Sequence, residues 1–227
     1  MIETLSAGHA LEPILQRHPR RTFSGLYRHA VKRMTDLFLC ILMLPLAFPV
    51  IGIMYLLVRL DGGPGFYGHV RIGKSGRPFK CWKLRTMVTH SHERLAAFLL
   101  DNPAAQAEWN RDHKLRYDPR VTYLGRILRQ TSLDELPQIW NVLRGDMSLV
   151  GPRPVTRPEL IKYGSGRRAY LTLRPGITGL WQVSGRNDVT YDQRVEMDVM
   201  YQQSLTWHLD AEILLRTVGV VLHRTGL

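Results

Sequence analysis

From Leu37 to Val58 the chain reads LFLCILMLPLAFPVIGIMYLLV, 22 residues without one charged side chain. As a straight helix this run would reach roughly 33 Å, against a bilayer hydrocarbon core of about 30 Å. A domain of this size has little room for a helix that is apolar on every side, so lipid is the expected surrounding and a buried core helix the weaker alternative. The flanks complicate the topology. Arg28, Lys32 and Arg33 precede the run and Arg59, Arg71 and Lys74 follow it, whereas a simple span concentrates basic residues at its cytoplasmic end. Pro45 and Pro49 lie near the middle, where each removes a backbone hydrogen bond and favours a bend. A helix that enters the bilayer, breaks and returns to the same face satisfies both observations. A kinked full span, which membrane helices tolerate, is the alternative. The run is too long and begins too late for a cleaved signal peptide, so it is expected to persist in the mature chain.

Charge narrows the choice of partner. Lys and Arg number 31 against 19 Asp and Glu, giving a formal net charge of +12. Such a balance points to a polyanion: nucleic acid, an acidic membrane surface or a nucleotide. The two cysteines, Cys40 in the apolar run and Cys81 in a basic stretch, argue against a disulfide framework and suit a reducing compartment. The length suffices for one sizeable core beside a membrane element.

Chemistry concentrates in residues 131–154, TSLDELPQIWNVLRGDMSLVGPRP. Asp134 and Glu135 stand just ahead of a short helix that Pro137 opens and Gly145 closes, residue types suited to those two ends. A carboxylate pair near a helix N-terminus has the parts to hold a divalent cation and a phosphate together. The alternative is structural: Ser132 with Glu135 also fits a capping box. Upstream, Val121–Arg129 has helical spacing, with Arg126 and Arg129 expected to project toward the carboxylates. Downstream, YLTLRPGITGLWQVSGRN over 170–187 is expected to be a glycine-dense loop whose Arg174, Arg186 and Trp181 suit phosphate binding and stacking.

The rest is scaffold or decoy. Phe66–Ile72 and Pro78–Leu84 are expected as short strands about the turn KSGR. Gly68 to Ser75 matches the full P-loop pattern, but Gly76, Arg77 and Pro78 would break the helix that a P-loop requires. Ser91 to His113 is expected to be helical, capped at Ser91 and interrupted near Pro103. His90 and His92 lack further ligands at useful spacing and fit a solvated loop. Tyr191 to Arg224 is expected as two helices, the second with a broad apolar face suited to core packing or to a membrane interface.

Taken in order, the apolar run with its basic prelude, FKCWKLRTM, RQTSLDELPQIWNVLRGDMSLVGPRP and RPGITGLWQVSGRN resemble the bacterial sugar transferases, the monotopic phosphoglycosyl transferases. The resemblance covers about Lys32 to the C-terminus. FYGHVRIGKSGRPFKC and GLWQVSGRNDVTY are most similar to exopolysaccharide-priming enzymes that use UDP-galactose, with the glucose-specific branch close behind. One departure is Leu44 before Pro45, where many relatives carry serine.

The resemblance implies an α+β, mainly helical protein. The expected organisation is a basic tail over 1–31, which lies outside the resemblance, a re-entrant membrane helix over 32–60 and a cytoplasmic catalytic domain with short strands over 61–227. The resemblance also implies transfer of a sugar 1-phosphate from a UDP-sugar to undecaprenyl phosphate at the bacterial inner membrane, with release of UMP. Asp134 matches the family nucleophile, which would form an acyl phosphate, and Glu135 the residue associated with Mg²⁺, a cation that commonly binds through one or two carboxylates plus substrate phosphates. Arg129 and Arg153 match positions near the phosphates, with Lys83 and Arg85 expected to add to that pocket and Arg186 to meet the nucleotide. Nucleic acid is not an expected partner, and homo-oligomer formation is left open. Two other readings compete: a membrane-tethered protein that binds anions without catalysis, and a metal-dependent glycosyltransferase, disfavoured because no two aspartates are separated by one residue.

Overall fold

The computed structural model describes Gly25 and residues 27–112, 115–184 and 189–222. The expected break is not seen: the apolar run lies in one 28-residue helix, α1 (Lys32–Arg59), continuous through Pro45 and Pro49, which a π-helical turn at Tyr27–Val31 precedes. There follow β1 (Phe66–Ile72) and β2 (Pro78–Leu84), α2 (Ser91–Asp101), α3 (Pro103–Asp112), α4 (Tyr123–Gln130) and α5 (Gln138–Arg144). Next come β3 (Ser148–Val150), α6 (Arg157–Lys162), α7 (Arg167–Thr172), β4 (Gly176–Thr178), α8 (Leu180–Ser184), α9 (Tyr191–Ser204) and α10 (Trp207–Leu222). The fold is α+β and mainly helical, as expected.

Two small sheets brace the helices. β1 and β2 pair antiparallel, with Phe66 opposite Leu84 and Ile72 opposite Pro78. The turn between them is a single 3₁₀ turn, Lys74–Gly76, with Ser75 left-handed at φ 59°. This turn leads straight into β2, so the P-loop pattern has no helix to open. β3 and β4 pair parallel, Ser148 with Gly176 and Val150 with Thr178. A Cβ at Gly176 would fall 2.1 Å from the Gly151 amide nitrogen, so this pairing needs glycine there.

Helix ends follow their chemistry in most places. Thr122 caps α4, and Thr156 with Glu159 and Thr190 with Gln193 form capping boxes on α6 and α9. Gly145, left-handed at φ 88°, closes α5, as its sequence position predicted. At α2 the expectation fails: His90 takes the cap position and makes no side-chain cap bond, and Ser91 is the first helical residue.

The main core gathers α1, α5, the parallel pair and α8 to α10, with Cys40, Val142, Met147, Leu180, Tyr201, Leu205 and Ile213 at its centre. Both ends of α1 dock on the domain, the first on this core and the second on a separate cluster. At its start, Arg33 donates to the carbonyls of Val142 and Leu143, and Asp36 accepts from the Leu149 amide. Lys32 pairs with Asp210 at 2.6 Å. At its other end Val58 packs with Leu84 and Leu128, and its carbonyl accepts from Arg85. Between the two docks the helix leaves Phe38, Leu42, Leu46, Phe48, Ile53 and Leu56 more than half exposed. Exposed apolar area on this scale marks a surface meant for something other than water.

Candidate functional site

Asp134 and Glu135 occupy a 3₁₀ turn, Leu133–Glu135, set by Ser132 in the left-handed region at φ 57° and ψ 16°. A non-glycine residue there carries strain that the surroundings must hold. The capping-box alternative fails: Ser132 makes no side-chain cap bond. The Glu135 carboxylate meets Lys83 Nζ at 2.6 Å and accepts from Gln138. Pro137 stands at the cap of α5 rather than at its first position.

Lys83 reaches the pair from β2, and the alignment is enforced by Asn141. That side chain, 1 % exposed, accepts from the Trp82 amide and donates to the Lys80 carbonyl, completing the edge of β2 as a neighbouring strand would. It thereby ties α5, and the carboxylates ahead of it, to the strand that carries Lys83. Lys83 Nζ lies 3.9 Å from Asp134. A second cation comes from α4: Arg129, whose Nε donates to Thr86 Oγ1 at 3.0 Å and whose charge acts on Asp134. Gly125 permits this approach, because a Cβ there would sit 2.1 Å from the Thr86 carbonyl oxygen.

The two carboxylates titrate apart. Burial pushes Asp134 up to about 6, with Glu135 adding to the rise and Lys83 and Arg129 opposing it. Burial also acts upward on Glu135, but Lys83, Arg153 and the bonds from Lys83 and Gln138 outweigh it and hold this carboxyl below its usual range. At neutral pH both are ionised, and Asp134 is the more basic of the two. Paired carboxylates with separated pKa values are a common mark of divided roles.

The structure sorts the predicted residues. Asp134, Glu135, Lys83 and Arg129 come together, and Arg153, exposed after β3, acts electrostatically on Glu135. Arg85 does not join them. Its five N–H groups go to the carbonyls of Pro64, Met87 and Val58 and to both oxygens of Asp61, so it is a clasp between α1 and β2. Arg126 lies over the Tyr117 ring, 5.6 Å from its centroid, rather than toward the carboxylates. Arg174 donates to the Gly145 carbonyl. Arg186 and most of the basic tail over 1–31 lie outside the described residues.

Trp181, expected in a loop, sits on α8 and is 5 % exposed. Two guanidiniums approach its ring, Arg153 at 5.9 Å and Arg194 at 4.7 Å from the centroid. Arg194, Thr86 and Gln138 were missed from sequence. A basic residue in DQRVEMD looks like any solvated helix position, and only the docking of α9 on α8 turns it inward.

Among the described residues no group of three or more His, Cys, Asp and Glu forms a metal cage. The donor chemistry of the carboxylate pair still fits Mg²⁺, which keeps waters and takes one or two carboxylates beside phosphate oxygens. Glu135 is the natural ligand, and one of its oxygens is directed at Lys83.

Comparison with known proteins gives the family. Residues 27–224 match the family model described as bacterial sugar transferase. The chain is 48 % identical over 209 residues to a UDP-galactose-lipid carrier transferase of Erwinia amylovora, covering 91 % of this chain and 44 % of that protein. It is 50 % identical over 196 residues to an undecaprenyl-phosphate galactose phosphotransferase of Salmonella typhimurium, covering 86 % of this chain and 41 % of that one. It thus spans less than half the length of these two. An exopolysaccharide production protein of Sinorhizobium fredii is 49 % identical over 196 residues, which is 86 % of this chain and 87 % of the relative.

Proposed function

Because this chain belongs to the bacterial sugar transferase family, we propose that it transfers a hexose 1-phosphate, galactose 1-phosphate in the first instance, from a UDP-sugar to undecaprenyl phosphate. UMP is the co-product, and the step opens exopolysaccharide synthesis. One observation carries the reading: a buried carboxylate of raised pKa lies beside a second carboxylate of lowered pKa, with Lys83 and Arg129 acting on the first.

The chemistry follows from these groups. An Asp134 oxygen attacks the sugar-bearing phosphorus, and the bond from that phosphorus to the bridging oxygen breaks, its electron pair leaving with UMP. The lipid phosphate then attacks the same phosphorus and expels the carboxylate. A carboxylate nearing a diphosphate is repelled by roughly 4 kcal/mol per pair of charges at about 4 Å in an effective dielectric near 20. Lys83 and Arg129 offset that repulsion, and Arg153 meets the phosphates from the Glu135 side. Mg²⁺, held by Glu135, would supply further neutralisation of the phosphate oxygens. With no proton to move in the first step, positioning and charge compensation do the catalytic work.

The two docks of α1 support a re-entrant anchor. A helix that crossed the bilayer completely would separate its ends by the membrane, and here both ends rest on one domain. The exposed apolar middle would then lie in the cytoplasmic leaflet of the inner membrane. Such an anchor would hold the carboxylates where a water-borne nucleotide and a lipid-borne phosphate meet.

Purified protein incubated with Mg²⁺, undecaprenyl phosphate and a panel of UDP-sugars should release UMP with UDP-galactose. Intact-mass spectrometry of quenched enzyme should show a hexose phosphate adduct that Asp134→Asn lacks. UMP release from none of the sugars would overturn the reading, and release with UDP-glucose alone would reassign the sugar.

A further inference from the structure

Arg153 and Arg194 converge on Trp181 with no ion-pair carboxylate among the described residues. Their guanidinium carbons lie 5.9 and 4.7 Å from one indole centroid, and the buried Nε of Arg194 has no hydrogen-bond partner. Burial lowers the pKa of Arg194, and the charge of Arg153 lowers it further. Among the described residues, the two carboxylates that these arginines act on are engaged: Glu159 with the Thr156 amide and hydroxyl and with Arg71, Glu135 with Lys83 and Gln138. Two like charges brought to one ring, one of them with an unsatisfied donor, suit an anion.

We propose that Arg194 is a substrate-binding residue, closing with Arg153 on a phosphate of the nucleotide so that both guanidiniums hold the leaving UMP. The inference rests on the transferase reading above. When the bridging oxygen takes the electron pair of the broken bond, the added charge falls on UMP, and Arg194 offsets it without any proton transfer. The nucleotide phosphate, rather than the lipid phosphate, follows from position. Tyr191 and Val195, on the same helix as Arg194, pack against a second hydrophobic cluster that contains no residue of α1. Trp181 itself belongs to the main core with α1, so Arg194 stands on the side of that core that faces the second cluster.

Calorimetric titration of the full chain in detergent with UMP, uridine and a short-chain prenyl phosphate tests this. Arg194→Ala should weaken UMP binding about tenfold or more, as expected for losing a charge-assisted contact. Uridine and prenyl phosphate affinities should stay within about twofold. Arg194→Lys, which keeps the stem and the charge, should retain part of the UMP affinity and guards against simple misfolding. An equal loss for uridine and UMP would mean that Arg194 merely props Trp181, and would overturn the proposal. So would a loss confined to prenyl phosphate, unchanged UMP binding, or wild-type protein that binds UMP no better than uridine. If no UDP-sugar yields UMP, the transferase reading fails on its own, since the difference between UMP and uridine is measured separately from turnover.

Discussion

Arg85 is buried and Arg194 half-buried in the same domain, and their hydrogen-bond accounts are opposite. Arg85, 8 % exposed, spends all five N–H groups on Asp61 and three backbone carbonyls. Arg194 lies against Trp181 with its Nε unpartnered. A guanidinium whose donors are all used within the fold cannot take a phosphate without giving something up, whereas one left unsatisfied holds its free energy in reserve for a ligand. On the proposed function, the junction of α1 with β2 serves stability and the shelf formed by Asp134, Glu135, Lys83, Arg129, Arg153 and Arg194 serves binding, although both are rich in arginine.

The sharpest way to break that division is Asp134→Asn. Turnover should fall by about 10³-fold or more, since a covalent nucleophile has no substitute. Stability should move the other way. The native pKa of about 6 lies above the unfolded value of about 4, so the stability tied to this group is full at low pH and is lost as pH rises through about 6. The Asp134→Asn protein should therefore be more stable than wild type at pH 8, by up to about 3 kcal/mol, and nearly equal at pH 4. Urea titrations at the two pH values check both signs. The same ionisation predicts that kcat/KM of the wild type declines as pH falls through about 6.

Next in size, Arg85→Met should cost about 1–3 kcal/mol of stability, because it leaves the Val58 carbonyl buried without its donor and frees those of Pro64 and Met87. Activity per folded molecule should survive at permissive temperature. A Tm unchanged in detergent would erase the distinction between clasp and shelf. Lys83→Met should cut kcat by about 10–100-fold. Because Lys83 lowers the pKa of both carboxyls, its removal should also move the acid limb of the pH profile upward. An unmoved limb would show that Lys83 does not act on the carboxylates. The smallest effect belongs to Arg126→Ala, which loses only a contact with Tyr117. Its stability should change by no more than about 0.5 kcal/mol, with turnover unaffected, and a large activity loss would restore it to the shelf.

Much of this layout was legible before any coordinates. The apolar run, the β1–β2 hairpin at its observed bounds, the Gly145 stop and the Asp134–Glu135 pair all rest on local rules: uniform hydropathy, alternation about a turn, a left-handed glycine, adjacent acids. What escaped were assignments that depend on distant neighbours. WKLRTM and GRILR offered three arginines to the phosphates, and nothing in their local sequence separates them. Arg126 meets Tyr117 and Arg85 meets Asp61, while Arg129 turns to Thr86 beside Asp134. Ser132 with Glu135 had the spelling of a capping box, but Lys83, 52 residues away in sequence, competes successfully for the carboxylate.

By itself the sequence determined that one charge-free segment would be too long for easy burial, that the remainder would be mostly helical, and where two acids and many cations stand along the chain. Periodicity and composition are properties of neighbours in sequence, so they carry that far. Only the tertiary structure decided which cations are consumed as clasps and which stay open beside Asp134. It also decided that both ends of α1 rest on the same domain. A guanidinium's role depends on whether its donors find partners in three dimensions, and most of those partners lie tens of residues away.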